Sequence, residues 1–275
     1  MVAIGDLHGD LDAARRALRL AGAIDARDRW VGGRLIVVQV GDQVDRGDHD
    51  KGVLDLFEAL RPEAKKAGGE VHPLLGNHEL MNVLGRVHSV SKRGFRAFAR
   101  FAPSAAKGPL SLFPKKRRGR LAAFRPGGPY ARLLANRQVV LQLGRTVFMH
   151  GGLLPAHVRY GLDRANRETR RFLRGERKQL PEVVWSRNGL LWLRRQSKGA
   201  PTPKACAELT RALALVNADR IVVGHSRQRH GINAACNGRV WRTDVSLSSF
   251  YGKKPAQILE LRGPSVRVLT GPPSP

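Results

Sequence analysis

Acidic residues are scarce in this chain. Its 22 Asp and Glu face 49 Lys and Arg, giving a formal charge of +27 and a pI near 11.5. Such a surface attracts polyanions such as nucleic acid, anionic lipid or phosphorylated protein, although a coding bias toward Arg, Ala and Gly accounts for the excess equally well. Cysteine is nearly absent too. Cys206 and Cys236 are the only two, and neither sits in a Cys-x-x-Cys pair. That excludes a disulfide framework and a structural zinc site, and makes two free thiols a simpler reading than one bridge. Aromatic residues are 6% of the chain and form no stacking cluster of the kind single-stranded nucleic acid needs. No apolar run approaches the roughly 18 residues that cross a bilayer, and no signal peptide is visible. The cytoplasm is the expected compartment, or the periplasm if a targeting segment precedes the four residues before the first motif.

Against these absences stands a recurring pattern. Five short apolar runs each end in a glycine or histidine junction: "MVAI" in Gly5-Asp6-Leu7-His8, "LIVVQV" in Gly41-Asp42, "VHPLL" in Gly76-Asn77-His78-Glu79, "TVFM" in His150-Gly151-Gly152, and "IVV" in Gly224-His225. Runs this short, β-branched and bounded by glycine read as strands buried on both faces. Helical periodicity follows the first two, with Leu11, Ala14 and Leu18 on one face and Val53, Leu54, Phe57 and Leu60 on another. Strand, polar loop and helix in repetition predict an α/β fold with the ligand site outside the carboxyl ends of the strands. All five polar clusters are then expected on one edge of one sheet.

The residue types at those junctions suit metal chemistry. Asp6 and His8 are two apart just after a strand, Asp42 is a carboxylate from the next strand end, Asn77 offers an amide oxygen, and His150 and His225 offer imidazoles. Mixed nitrogen and oxygen ligands fit Zn, Fe or Mn better than Ca or Mg. Two such ions roughly 3.5–4 Å apart clamp an in-line displacement at phosphorus and activate water for the attack.

The motifs "GDLHG", "GDQVDRG", "GNHE" and "HGG", with "VVGHS" as a looser fifth, span residues 5 to 225. In order and spacing they resemble the calcineurin-like metallophosphoesterases, in the phosphoprotein phosphatase branch. "LLGNHELMNVLG", "VVWSRNG" and "VWRTDVSLSSFYG" look most like the bacterial Shewanella-like phosphatases. The Ser-Ala-Pro-Asn-Tyr segment of the eukaryotic serine/threonine enzymes is absent, and Asp45 stands where the diadenosine tetraphosphatases have alanine. The resemblance implies a metallophosphoesterase fold of central β-sheets, a β-sandwich, flanked by helices. It implies that Asp6, His8 and Asp42 hold one metal and that Asp42, Asn77, His150 and His225 hold the other. It further implies His78 as the acid for the leaving oxygen, Asp45 as its orienting partner, and Arg46 as the phosphate fork. Arg187 in "WSRNG" is the candidate second phosphate arginine. Asp48, His49 and Asp50 read as helix-start caps rather than ligands.

Other positions stay open. His72, His88, His157 and His230 read as surface or packing residues. Glu79 either backs the metal ligands or stabilises its loop, Asp244 either faces the site or ends a strand, and Tyr251 has no assignable role. From Leu80 to Leu162 the chain carries sixteen Lys or Arg and no acid. This stretch predicts a helical or irregular insertion at about 84–137, either a cap over the site or a solvated basic loop. The remainder to residue 270 is expected to be one catalytic domain, and 271–275 a disordered tail.

The expected activity is dinuclear-metal phosphomonoester hydrolysis on a phosphoprotein or phosphopeptide, at phosphotyrosine or phosphoserine/threonine. The basic surface adds a candidate anionic partner. Alternatives are a hydrolase of nucleotides or small phosphate esters, or a nucleic-acid-binding protein on a phosphatase fold. Steep salt dependence would mark the last of these.

Overall fold

All five predicted runs form strands. In the computed structural model, which describes residues 1–105 and 108–272, strands β1 (Val2–Ile4), β2 (Ile36–Gln39) and β3 (Glu70–Pro73) lie parallel and adjacent. Helices α1 (Leu11–Leu20) and α2 (Asp50–Lys66) connect them. Each helix turns its predicted face inward: Ala14 and Leu18 are buried and Leu11 half-buried in α1, and Val53, Leu54, Phe57 and Leu60 are buried in α2.

The other two runs belong to a second sheet, which corrects the expectation of a single one. This sheet starts with β4 (Val140–Leu143) and β5 (Thr146–Met149), joined as an antiparallel hairpin. It continues with β6 (Arg220–Val223), β7 (Asn233–Ala235) and β8 (Val240–Arg242) in the order β4-β5-β6-β8-β7. A C-terminal hairpin of β9 (Gln257–Arg262) and β10 (Ser265–Thr270) closes the first sheet, in the order β10-β9-β1-β2-β3. Periodicity reports that a strand exists but not which strand it pairs with, and the long segment after β3 breaks the run of parallel crossovers.

The sheets pack as a sandwich, and β5 and β6 alternate faces as their period of two requires. Phe148 and Val222 join the cluster containing Val38, Val40 and Ile258, while Val147, Met149, Ile221 and Val223 turn to one containing Phe98, Phe124 and Leu134. The carboxyl ends of both sheets meet along one seam: His150 Nδ1 lies 2.9 Å from the Val40 carbonyl, and Gly224 N–H donates to the His150 carbonyl. Convergence of the five junctions therefore holds in space, across two sheets.

The basic insertion is mostly helical. After α3 (Asn77–Val83) come α4 (Lys92–Arg96), two short 3-10 turns, α5 (Lys115–Phe124) and α6 (Pro129–Leu134). It is anchored rather than simply solvated. Phe98, Phe124 and Tyr130 cluster with ring centroids 4.9–5.6 Å apart, and α5 packs on α3.

Cys206 and Cys236 are joined in a disulfide, which corrects the free-thiol reading. The first lies in the helix Pro203–Leu215 and the second just beyond β7, 30 residues apart in sequence but 5.2 Å apart between Cα atoms. Only the fold brings them within bridging distance. Residues 273–275 of the expected tail lie outside the described residues. Among the described residues no helix is long and apolar enough to cross a membrane.

Candidate metal centre

Each junction carries a glycine with no room for a Cβ, and at two of them the crowding falls on a candidate ligand. A Cβ on Gly76 would stand 2.2 Å from Asp42 Oδ1, and a Cβ on Gly224 would stand 2.2 Å from Asp6 Oδ1. Only glycine lets these carboxylates approach the neighbouring backbone. The loops are also wound unusually. His8, Asp42, Asp45, Arg46 and His225 all have φ between 43° and 73°, a region that costs non-glycine residues about 1–3 kcal/mol each.

Glu79 offsets part of that strain. Its buried carboxylate accepts from the backbone N–H groups of Asp42, Gln43, Val44 and Gly76 at 2.7–3.2 Å, stapling the GDQVD loop to the GNHE turn. Of its two readings, the loop role is the one the contacts describe.

The six predicted ligand residues come together, all buried. Asp42 is central: its Oδ2 lies 3.1 Å from His150 Nε2, 4.0 Å from His8 Nε2 and 3.9 Å from His78 Nε2. His8 Nε2 is 3.9 Å from Asp6 Oδ2, and His150 Nε2 is 2.9 Å from Asn77 Oδ1. Two groups with closely spaced ligand atoms emerge, His8–Asp42–His78 and Asp42–His150–His225, and they share Asp42.

The imidazoles are set for coordination. Nδ1 of His8 faces the Val44 carbonyl at 3.3 Å and Nδ1 of His150 faces that of Val40, whereas Nδ1 of His225 faces the Arg194 guanidinium at 3.4 Å. A carbonyl on Nδ1 fixes the tautomer whose Nε2 offers a lone pair. His225 Nε2 is buried with no partner at all, an uncompensated cost unless something binds it. Burial pushes His8 down to about 3, with His78 and Arg46 adding to the effect. Burial, followed by His150 and Arg194, pushes His225 down to about 2. Both are neutral at physiological pH, as ligands must be.

The carboxylates point the same way. Burial, then Asp244, then Asp42 raise Asp6 well above the usual range. Burial opposes ionisation of Asp42 too, but His150 and His78 outweigh it and hold that carboxyl well below normal. Asp244 is likewise buried and raised, by burial and by Asp42. Three crowded acids, neutral imidazoles and an orphaned nitrogen make a site that fits cations.

Beside this cluster His78 Nδ1 lies 2.7 Å from Asp45 Oδ2. Burial disfavours the His78 cation, yet Asp42 and Asp45 outweigh it and raise the imidazole above its ordinary value. Arg46 bridges the two motifs, with Nη1 3.3 Å from His8 Nε2 and Nη2 3.3 Å from His78 Nε2. Tyr251 stacks between Arg46 and Arg227, at 5.2 and 4.0 Å from the two guanidinium carbons, and its ring meets that of His8.

Arg187 sits apart. It is exposed, on the wall of a cleft of about 770 Å³ that also holds Trp192 and Arg194. Arg194 lies nearer the ligands: it donates to the His225 carbonyl at 2.5 Å and feels the charges of Asp42, Asp6 and Asp244.

Arg120 is the largest residue missed in the sequence. Fully buried on α5, it donates from Nε to Asn82 Oδ1 at 2.7 Å and from Nη2 to Asp45 Oδ1 at 3.2 Å, and pairs with Asp50 at 2.5 Å. Its one signal was its spacing: Arg120 and Phe124 are four apart and share a face of α5. Asp50 is thus an ion-pair partner that also accepts from Asp45 N–H, not a cap, and His49 at the N-cap makes no side-chain capping bond. The remaining histidines behave as expected. His157 packs between Leu154 and Asn188, His72 pairs with Glu70, and His88 and His230 are exposed.

A sandwich of two mixed sheets with two overlapping Asp/His groups, placed at the strand ends where they could hold metal ions, marks a metal-dependent phosphoester hydrolase. Comparison with known proteins agrees, since the profile of the calcineurin-like phosphoesterase family matches residues 1–228. Shewanella-like protein phosphatase 2 of Arabidopsis thaliana is 39% identical, over 99% of this chain and 78% of its own. Shewanella-like protein phosphatase 1 of Plasmodium berghei is 29% identical, over 92% and 69%. The crystal structure of the cold-active protein-tyrosine phosphatase of a psychrophilic Shewanella superposes with a TM-score of 0.77 at 26% identity, over 98% of this chain and 79% of that one. The chain belongs to the calcineurin-like phosphoesterase family, among its Shewanella-like protein phosphatases.

Proposed function

We propose that this chain is a phosphoprotein phosphatase with a two-metal centre, and that phosphotyrosine is its favoured phosphoresidue. The two ligand groups sharing Asp42 carry the reading. Asp6, His8 and Asp42 would hold one ion and Asp42, Asn77, His150 and His225 the other, with Mn, Fe or Zn suited to the donor set. Such ions supply Lewis-acid charge to the phosphoryl oxygens and activate the attacking water.

The chain's own residues do the rest. Arg46 presents a planar fork to two phosphate oxygens, a task lysine cannot copy. Arg187 serves as the second phosphate arginine from the cleft wall, with Arg194 placed to share that role. His78 keeps its Nε2 proton for the leaving oxygen, because Asp45 accepts from Nδ1 and raises the imidazole's basicity. Arg120 and Asn82 fix the far oxygen of Asp45, so the acid keeps its aim. The tyrosine preference is supported by the similar Shewanella enzyme, which is a protein-tyrosine phosphatase. Residues 1–270 act as one catalytic domain, with 84–137 bracing the acid side of the site.

Hydrolysis of para-nitrophenyl phosphate with Mn²⁺, then after chelation, tests the chemistry, with phosphotyrosine and phosphoserine peptides compared next. Metal-dependent turnover that favours phosphotyrosine is expected. No turnover with Mn, Fe or Zn would sink the phosphatase reading, and equal turnover of both peptides would sink the preference.

A further inference from the structure

The cleft beside His225 holds more positive charge than phosphate binding by Arg187 and Arg194 requires. Five of its lining residues are cationic (Arg86, Arg187, Arg194, Arg195 and Lys198) and none is acidic. It is assembled from two acid-free pieces of chain, Leu80–Leu162, which supplies Arg86, and Val183–Ala207, which supplies the others. Arg194 is engaged by His225 and Ser226, and Arg195 by Glu208 at 3.0 Å and Asn188. Arg86 lies over the Trp185 ring. Among the described residues Arg86, Arg187 and Lys198 have no carboxylate partner, and all three are exposed. The cleft borders the metal centre: Trp192 of its wall meets the His225 ring edge to face at 5.6 Å, and Arg194 donates to the His225 carbonyl.

We propose that this cleft is the subsite for acidic side chains flanking the phosphorylated residue, so that acidic phosphopeptides are the preferred substrates. The claim rests on the phosphatase reading above and names its substrate class. Charge complementarity carries it: a phosphoresidue seated at the metals places its neighbours along a wall of unpaired cations. The indoles argue against nucleic acid as the occupant. Trp185 and Trp192 meet edge to face at 83° and Arg86 lies over Trp185, so the two rings pack on each other rather than lying parallel as a platform for successive bases.

The test uses synthetic phosphotyrosine peptides flanked by glutamates, alanines or lysines, with para-nitrophenyl phosphate as a reference. In the wild type, kcat/KM should favour the glutamate peptide over the alanine one by about tenfold, as two exposed ion pairs allow, mostly through KM. The preference should shrink as salt rises. In the double variant Arg86→Glu/Lys198→Glu it should vanish or reverse, both residues being exposed and outside the folded core. An equal rate on all three peptides, or a preference that survives the double variant, overturns the proposal. So does a single-stranded oligonucleotide that binds the cleft more tightly than the glutamate peptide, by tryptophan fluorescence titration. Should para-nitrophenyl phosphate itself not be hydrolysed, the phosphatase reading fails instead. The same titration with the three peptides, wild type against double variant, then decides the cleft separately.

Discussion

Two acid-free stretches carry much of the chain's positive charge, and individual cations within them are used in opposite ways. In the first, Arg120 turns into the core, is fully buried, and meets Asp45, Asp50 and Asn82. In the second, Arg187 and Lys198 stay exposed on the cleft wall with no acid opposite them among the described residues. The same residue type is structural where every donor is matched and available for recognition where none is. Net charge alone separates neither case, since +27 describes the sum and not the pairing.

The sharpest way to test that contrast is Arg120→Ala. It strands two buried carboxylates, so unfolding in urea should show a loss of about 3–5 kcal/mol. Arg120→Lys keeps a charge but not the fork, and should recover only part of the loss. A cost below about 1 kcal/mol, the scale of an exposed pair, would erase the distinction between the two stretches. Next comes the bridge beside the outward stretch. The double variant Cys206→Ala/Cys236→Ala should lose about 2–4 kcal/mol, read as a lower midpoint in the same assay or under reductant.

A smaller effect belongs to Asp10, whose carboxylate caps α1 at Ala13 N–H and also accepts from Ser249 N–H. Burial opposes its ionisation, but the bonds from Ser249 and Ala13 prevail and lower its pKa below 3.8. Asp10→Ala should cost about 1 kcal/mol at neutral pH. Because the folded value is the depressed one, the wild-type advantage is complete above the unfolded value and fades as pH falls through the folded one. A gap that instead widens in acid would contradict that assignment. The smallest effect is expected at the exposed end of the comparison. Arg86→Ala should change stability by no more than about 0.5 kcal/mol, by the same urea midpoint.

Much of the centre was legible in the sequence because its physics is local. A glycine before Asn77 or His225 and an aspartate two residues before His8 are short-range demands of a tight turn that must present a ligand. What escaped was long-range. The strand at Thr146 and the one at Val2 look alike as apolar runs, and nothing in either says that they belong to different sheets. Arg120 hid in a basic run that reads as solvent-facing, and its carboxylate partners lie 70 and 75 residues away in sequence. The disulfide hid for the same reason, its two cysteines being brought together only by the packing of a helix against an edge strand. Asp50 reads as a helix cap until the partner that claims it is in place.

The role of His78 tests the centre most directly, because its Nε2 lies close enough to His8 and Asp42 to be counted with the ligands. The measurement is metal content and para-nitrophenyl phosphate turnover of the wild type and His78→Asn, each loaded with Mn²⁺ and freed of excess. If His78 is the acid and not a ligand, both proteins carry two ions per chain and only the variant loses turnover. A variant that holds one ion fewer, or that keeps wild-type turnover, would contradict that assignment.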